Sequence, residues 1–289
     1  VLNRLRIHIE YLPPITPPAQ ILAGTEGILD ETGLPDGIPL VVGGSDQAAS
    51  ALGSGLLDEG AMFVAVGTGG QIVTPLAEPL PSPGLSLNTF CHIPETRWYL
   101  MGATLSAGLS LKWYRDLFAQ GVPFAVLDAE AEAIPPGCAG LAFDPFLAGR
   151  RSPEMNPSAS GVFRGIRLNH GRGHFVRAVL EGVAYDLRDC LEVIKSMGKG
   201  GSAITLSGGG AKSRLWSHII ADVFGMPVMI SGAEEQACFG TALLAGVGCG
   251  VYGSYREAAA LAPQPSSSIE PDPERSRRYE ELYEWWKSR

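Results

Sequence analysis

The chain contains 289 residues, of which 45% are hydrophobic and 18% are charged, and these fractions exclude an intrinsically disordered chain. The formal net charge of −8 gives no electrostatic basis for binding nucleic acid or an anionic membrane, so we expect neither as a partner. Gly and charged residues interrupt each apolar run before it could span a bilayer, and the five cysteines form no CxxC pair, which favours free buried thiols in a cytoplasmic protein.

The first fifty residues predict an irregular segment followed by one strand and one helix. Residues 1–36 contain two Pro-Pro pairs and several glycines, so we expect a connection between larger units. Residues 38–42 are apolar and predict a short strand, which continues into Gly43 and Gly44. Small residues at 48–52 predict a tightly packed helix directly after these glycines.

A β-hairpin and an amphipathic helix follow. Apolar residues at 61–66 and the segment 71–74 predict two strands, and the sequence Gly-Thr-Gly-Gly at 67–70 predicts a glycine-rich corner between them. Residues 98–101 predict another strand. The helix after it carries an apolar stripe, which we interpret as core rather than as a cofactor pocket. The stripe consists of Leu105, Leu109, Trp113 and Leu117.

The last third alternates between strands and helices. Residues 173–197 predict the longest helix, which Gly198 is placed to end. The elements predicted after it are a strand at 203–206, a helix at 214–224, a strand at 227–230 and a helix at 237–247. This order indicates an α/β sheet with covering helices. The charged and aromatic tail from residue 270 predicts an exposed helix with a solvated surface.

Three glycine-rich turns follow predicted strands, at 43–44, 67–70 and 208–210. Glycine allows backbone N–H groups to approach a ligand closely, and one sheet can aim three such turns at one cleft. The last turn does not fit two familiar nucleotide motifs. A P-loop requires adjacent Gly-Lys-Ser, whereas residues 210–213 read Gly-Ala-Lys-Ser; a dinucleotide fingerprint requires Gly or Ala where Ser213 stands.

Asp46 and a pair of histidines are the titratable residues with a choice of roles. Asp46 follows a strand and two glycines at the start of a helix, so it either caps that helix or accepts a hydroxyl proton during phosphoryl transfer. His170 and His174 have the spacing of two metal ligands on a helix. Two intervening glycines and the lack of further ligands favour a structural role for both.

Four motifs in order resemble those of the FGGY carbohydrate kinases. Residues 161–166 and 174–181 match a family signature, and residues 42–49 (VGGSDQAA) are similar to the catalytic-aspartate segment. Residues 67–69 resemble the phosphate loop and residues 208–213 the adenosine loop. The resemblance extends from about residue 38 to residue 262, and its wording is closest to the xylulose kinases.

The resemblance implies an α/β fold of the actin-like ATPase (ribonuclease H-like) class, with a mixed sheet, and a kinase that uses ATP and Mg²⁺ to phosphorylate a sugar such as a xylulose-like ketose. It implies that Asp46 is the catalytic base, binds the sugar with Gln47, and holds Mg²⁺ through water. The residues implied to bind ATP are Gly67, Thr68, Gly69, Gly108, Lys112, Gly209, Gly210, Ala211 and Arg214.

The resemblance also implies a division of the chain. Residues 1–56 would be the end of an N-terminal sugar-binding domain that carries the Asp46 segment, and residues 57–289 the nucleotide-binding domain. The rest of the N-terminal domain would be missing, so we expect weak nucleotide binding and no phosphorylation from the chain alone; a homodimer is left open. Arg150 stands where many relatives have an acidic residue, and Ser160 where an arginine is common. These departures leave the identity of the sugar open and add a catalytically inactive paralogue as a further alternative. The alternatives are a glycerol- or gluconate-type kinase and an actin- or Hsp70-like nucleotide switch.

Overall fold

The computed structural model describes residues 2–94, 96–233 and 235–288. The helices in these residues are α1 (Leu2–Leu5), α2 (Leu29–Thr32), α3 (Asp46–Gly53), α4 (Gly108–Phe118), α5 (Phe124–Glu132), α6 (Arg172–Ser196), α7 (Arg214–Phe224), α8 (Gln236–Gly248), α9 (Tyr255–Ala259) and α10 (Pro273–Lys287). The strands are β1 (Ile21–Gly24), β2 (Pro39–Val41), β3 (Phe63–Val66), β4 (Gly70–Leu76), β5 (Asn88–Cys91), β6 (Trp98–Thr104), β7 (Ala142–Asp144), β8 (Val162–Arg164), β9 (Ile204–Ser207), β10 (Val228–Ile230) and β11 (Ser267–Ile269).

A mixed seven-stranded sheet, in the order β11-β10-β9-β3-β4-β6-β5, forms the centre of the described residues. Strand β9 runs parallel to both β3 and β10, and the other neighbouring pairs are antiparallel. The predicted hairpin is confirmed as β3 and β4, in which Val66 pairs with Gly70 across the glycine corner. The predicted mixed sheet with covering helices is therefore confirmed, and β3 and β9 end side by side.

Helices cover both faces of this sheet because successive side chains of a strand point to opposite faces. On β3, Val64 and Val66 join a core shared with α4, α6, α7 and α10, whereas Phe63 joins a second core shared with α3, α8 and α9. The long helix is confirmed as α6, and the chain leaves it through Gly198 at a φ of +67°. None of the described helices is long and apolar enough to cross a membrane.

The expectation of an exposed C-terminal helix is wrong for one face of α10. Four side chains of α10 are buried in the core beside α6 and α7: Tyr279, Leu282, Tyr283 and Trp286. They recur at positions i, i+3, i+4 and i+7, which places them on one helix face. The remaining charged residues occupy the exposed faces, so α10 is an amphipathic helix whose apolar face the high charge of the segment did not indicate.

The interpretation of the apolar stripe as core is wrong at three of its positions. Leu105 and Leu117 are 38% and 57% exposed, and Leu109 lines a cavity described below. Leu105 precedes the first residue of α4, so it does not share the helical phase, and the buried positions of α4 are instead Ser110, Leu111 and Tyr114.

Two smaller expectations also need correction. The cysteines are free, but only Cys138 and Cys190 are buried, whereas Cys91, Cys238 and Cys249 are exposed. The segment 1–36 is not entirely irregular, because β1 pairs antiparallel with β2 in a separate two-stranded sheet.

Candidate active site

The Asp46 segment lies where β2 gives way to α3. Ser45 caps α3, and its Oγ accepts a hydrogen bond from the Ala48 N–H at 3.3 Å. Asp46 is the first residue of the helix, so the interpretation of Asp46 as the cap is wrong. Its exposed carboxylate accepts the N–H of Gln47 at 2.8 Å and leaves its other oxygen within 3.4 Å of the Gln47 amide nitrogen.

A cavity of about 420 Å³ adjoins Asp46 and includes Gln47, His92 and Tyr99 in its walls. The Tyr99 hydroxyl lies 3.3 Å from Ser45 Oγ, and burial raises the pKa of Tyr99, an effect that the charge of Asp46 increases. Burial lowers the pKa of His92, whose Nδ1 accepts the Ile93 N–H at 2.7 Å while Nε2 lies 3.0 Å from the Leu56 carbonyl oxygen. His92 is therefore neutral, its Nε2–H donates to the Leu56 carbonyl oxygen, and this bond holds the ring in the cavity wall.

The corner between β3 and β4 is held by the beginning of α4. The Thr68 carbonyl accepts hydrogen bonds from the N–H groups of Ala107 and Leu109 at 3.0 and 3.1 Å, and the Gly67 carbonyl accepts the Gly108 N–H at 2.8 Å. A Cβ atom at Gly108 would lie 2.5 Å from the Gly67 oxygen, so only glycine permits this approach. The Thr68 side chain is exposed.

The corner after β9 packs against the first corner. Gly208 has a φ of +81°, and a Cβ atom there would lie 2.7 Å from the Val66 carbonyl oxygen. Residues Gly209–Lys212 then form a 3-10 turn, and Ser213 caps α7 by accepting the Trp216 N–H at 3.0 Å. The two corners meet because β3 and β9 are adjacent parallel strands that end at the same edge of the sheet.

Two cavities open from these corners. A cavity of about 630 Å³ lies between the corners and α5, and a second of about 730 Å³ extends from the corners to Gln47. The predicted residues that line one or both are Gln47, Gly67, Thr68, Gly69, Gly108, Lys112, Gly209, Gly210 and Ala211. Lys112 and Lys212 bring positive charge to the same walls, and Lys112 forms an ion pair with Asp116. The arrangement suits an anionic ligand such as a polyphosphate.

The structure does not bring Arg214 to these cavities. Arg214 is exposed at the first position of α7 and lines a separate depression of about 390 Å³, together with Arg177, His218 and Arg275. Asp46 lines neither of the two large cavities, but its neighbour Gln47 lies in the walls of both the second one and the cavity beside Asp46.

Sequence reasoning missed the wall that α5 contributes. Phe124 and Asp128 of α5 line the 630 Å³ cavity opposite Gly108 and Gly209. Pro123, whose backbone is extended, precedes α5 and is the sequence signal that could have located the start of this helix.

The two histidines make backbone contacts. His170 Nδ1 accepts the N–H of Arg167 and His174 Nδ1 accepts the N–H of Gly171, both at 3.1 Å. In residues 2–94, 96–233 and 235–288 no three His, Cys, Asp or Glu side chains are grouped as metal ligands. The histidines therefore stabilise the turn that leads into α6.

Comparisons with known proteins identify relatives over the whole chain. The sequence pattern of the "FGGY family of carbohydrate kinases, C-terminal domain" matches residues 62–249. The xylulose kinase of Bacillus subtilis (strain 168) is 30% identical over 289 residues, which are 100% of this chain and 58% of that protein. The gluconokinase of Bacillus licheniformis is 35% identical over 218 residues, which are 71% of this chain and 42% of that protein.

Solved structures of sugar kinases also match almost the whole chain. A ligand-bound xylulose kinase from Lactobacillus acidophilus superimposes with a TM-score of 0.92 at 25% identity, covering 99% of this chain and 58% of that one. A gluconate kinase from Lactobacillus acidophilus gives a TM-score of 0.91 at 25% identity, with the same coverage. The chain thus spans between two fifths and three fifths of the length of these relatives.

Proposed function

The chain belongs to the FGGY family of carbohydrate kinases, and on that premise we propose that it supplies the nucleotide-binding half and the catalytic carboxylate of an ATP-dependent sugar kinase. The observation that carries the proposal is the meeting of two glycine corners at the ends of β3 and β9, from which one cavity extends to α5 and another to Gln47. A nucleotide laid across these corners would place its terminal phosphate toward Gln47 and α3.

The proposed nucleotide contacts follow the walls of the two cavities. Gly67, Thr68 and Gly69 contact the phosphates, since their corner presents backbone and hydroxyl groups at the junction of both cavities. Gly108 and Lys112 lie on the α4 side. Gly209 and Gly210 flank the adenosine, whereas Ala211 lines only the second cavity. We leave Arg214 out of this set because it lines another depression.

Asp46 is the proposed base. The hydroxyl oxygen of the sugar attacks the γ-phosphorus, the bond from that phosphorus to the ADP oxygen breaks, and Asp46 takes the hydroxyl proton. Its carboxylate is exposed and Ser45 provides the helix cap, so Asp46 can face a substrate while it accepts hydrogen bonds from Gln47. Mg²⁺ is commonly held by one or two carboxylates, phosphates and water, which a single Asp46 beside a triphosphate satisfies, and the ion would neutralise the charge of the transferring phosphoryl group.

The sugar is proposed to lie between residues 1–56 and the part of the relatives that this chain does not span. On β1 and β2 the apolar side chains of Ile21, Leu22 and Leu40 are 47%, 64% and 48% exposed. An isolated two-stranded sheet with this much exposed apolar surface is only marginally stable in water. We propose that the preceding half of the kinase covers this surface and closes the cleft against water.

The substrate is proposed to be a xylulose-like ketose, with gluconate as the second candidate because a gluconokinase is among the relatives. We propose that the departure at Arg150 leaves this choice unchanged. Its guanidinium is largely buried and forms ion pairs with Asp186 and Asp189 of α6, so the residue is used inside the fold. Ser160 is exposed in the loop before β8, and nothing in the structure assigns it a contact with substrate.

Two measurements test the proposed function. Titration of the chain with Mg-ATP is expected to show weak saturable binding, and a coupled assay with xylulose, gluconate or glycerol is expected to show no turnover. Robust turnover by the chain alone would contradict the proposed need for the preceding half.

The role of Asp46 is tested in a chimaera that joins the preceding half of the Bacillus subtilis xylulose kinase to this chain. Asp46→Asn is expected to lower sugar phosphorylation by about 10²- to 10⁴-fold while Mg-ATP binding stays unchanged. Asp58→Asn, at an exposed carboxylate paired with Arg256, is the matched control and should keep full activity. A nucleotide switch would instead show no sugar-dependent ADP release in the unsubstituted chimaera.

A further inference from the structure

Asp128 stands out among the walls of the 630 Å³ cavity because one of its two carboxylate oxygens is not satisfied. It lies on α5 beside Phe124 and Ala125, which line the same cavity, whereas Leu127 and Ala131 face the core and are fully buried. The Oδ1 atom of Asp128 is buried and has no hydrogen-bond partner within the described part of the chain. A buried carboxylate oxygen without a donor is costly, so a ligand that brings a donor would be favoured.

The position of Asp128 assigns it to one end of the proposed nucleotide site. Gly67, Thr68 and Gly209 line both large cavities, so they mark the junction between them. Of these two cavities, Gln47 lines only the second and Asp128 only the first. A triphosphate that crosses the junction toward Gln47 therefore leaves its base at the α5 end.

The α5 end has the composition expected of a base pocket. Its walls include Leu109 and Phe124, which offer apolar and aromatic surface to a flat ring, with the buried Trp216 behind them. Trp216 is fixed there because its indole N–H donates to the Leu180 carbonyl at 3.0 Å. The carboxyl group of Asp128 thus lies beside this apolar and aromatic surface, and a few polar groups so placed determine specificity in many ligand pockets.

We propose that Asp128 accepts a hydrogen bond from the 6-amino group of the purine and so favours adenine over a purine that lacks this group. This inference rests on the proposed function. Adenine presents an N–H donor at position 6, and a carboxylate oxygen accepts from such a donor. Burial raises the pKa of Asp128, and a hydrogen bond from the Ser213 side chain to the carboxyl group partly opposes this shift. A donor on the ligand offsets the cost of burying the ionised group.

The test measures the binding of two nucleotides that differ only in the 6-amino group. Equilibrium dialysis of the chain against ATP and against purine riboside triphosphate, each with Mg²⁺, gives a ratio of dissociation constants. The unsubstituted chain is expected to prefer ATP by about tenfold or more, since a hydrogen bond to a charged acceptor contributes at least that much. Asp128→Ala is expected to bind both nucleotides equally.

A matched control lies one turn away on the same helix. Glu132→Gln removes a carboxylate that does not line the cavity, and the preference for ATP should persist. A ratio that is the same in the unsubstituted chain and in Asp128→Ala would overturn the inference and leave the proposed function standing; this result is expected if Asp128 instead pairs with Lys212. If the unsubstituted chain binds neither nucleotide, the proposed function and the inference both fail.

Discussion

The contact between the two glycine corners can be tested by adding one methyl group. In Gly208→Ala the residue would keep a φ of +81° and a ψ of −175°, a region that is nearly restricted to glycine and costs about 1–3 kcal/mol for other residues. The new Cβ would also lie 2.7 Å from the Val66 carbonyl oxygen and 2.8 Å from its carbon, and relieving such overlap costs about 1–3 kcal/mol more. We therefore expect a loss of about 2–6 kcal/mol in the free energy of unfolding.

The neighbouring glycine provides the control. A Cβ at Gly209 meets no atom within 4 Å, and its φ is not in the left-handed region, so Gly209→Ala should leave the free energy of unfolding unchanged or raise it by up to about 1 kcal/mol. Urea unfolding of both variants measures the difference in their free energies of unfolding, provided that the two variants have the same m-value. Equal midpoints for Gly208→Ala and Gly209→Ala would refute the contact between the corners.

Two further predictions concern the buried polar groups of α6. The hydroxyl of Tyr279 accepts a hydrogen bond from Arg177 at 2.8 Å and donates one to Glu181 at 2.9 Å. Tyr279→Phe should therefore lower the free energy of unfolding, measured by urea titration, by about 1.5–3 kcal/mol. An unchanged free energy of unfolding would show that this network does not stabilise α10. Burial raises the pKa of Asp186 from 3.8 to about 6, so between these values the folded protein keeps a proton that the unfolded chain has released. The free energy of unfolding should therefore fall as the pH rises from about 4 to about 6, by up to about 3 kcal/mol relative to Asp186→Asn. Parallel curves of unfolding free energy against pH for the two proteins would contradict this.

Local sequence patterns predicted the elements whose formation is decided locally. The helix at 214–224 and the hairpin around 67–70 were predicted almost to the residue, because helical periodicity and glycine turns act over a few neighbours. Strands β7 and β8 were missed because each has three residues and pairs only with a strand about twenty positions away. Their Pro- and Gly-rich surroundings gave the appearance of a loop.

The candidate site was predicted in part for a similar reason. Each glycine corner can be recognised by itself, so the sequence located the corners at 67–69 and 209–210, and the adjacency of β3 and β9 brings them together. Their role in binding a nucleotide stays a prediction. Asp128 could not be found, since its importance depends on α5 being placed opposite two distant corners. The family resemblance placed Arg214 beside the adenosine, but as the first residue of α7 it lines another depression.

The most direct test of the nucleotide site is hydrogen exchange of the chain with and without Mg-ATP. We expect slower exchange in peptides that contain residues 67–69 and 208–211, and in those of α5, with no change around β8, which lines neither large cavity. Slowed exchange confined to other parts of the chain, or no change at saturating Mg-ATP, would contradict the assignment of the nucleotide to the glycine corners.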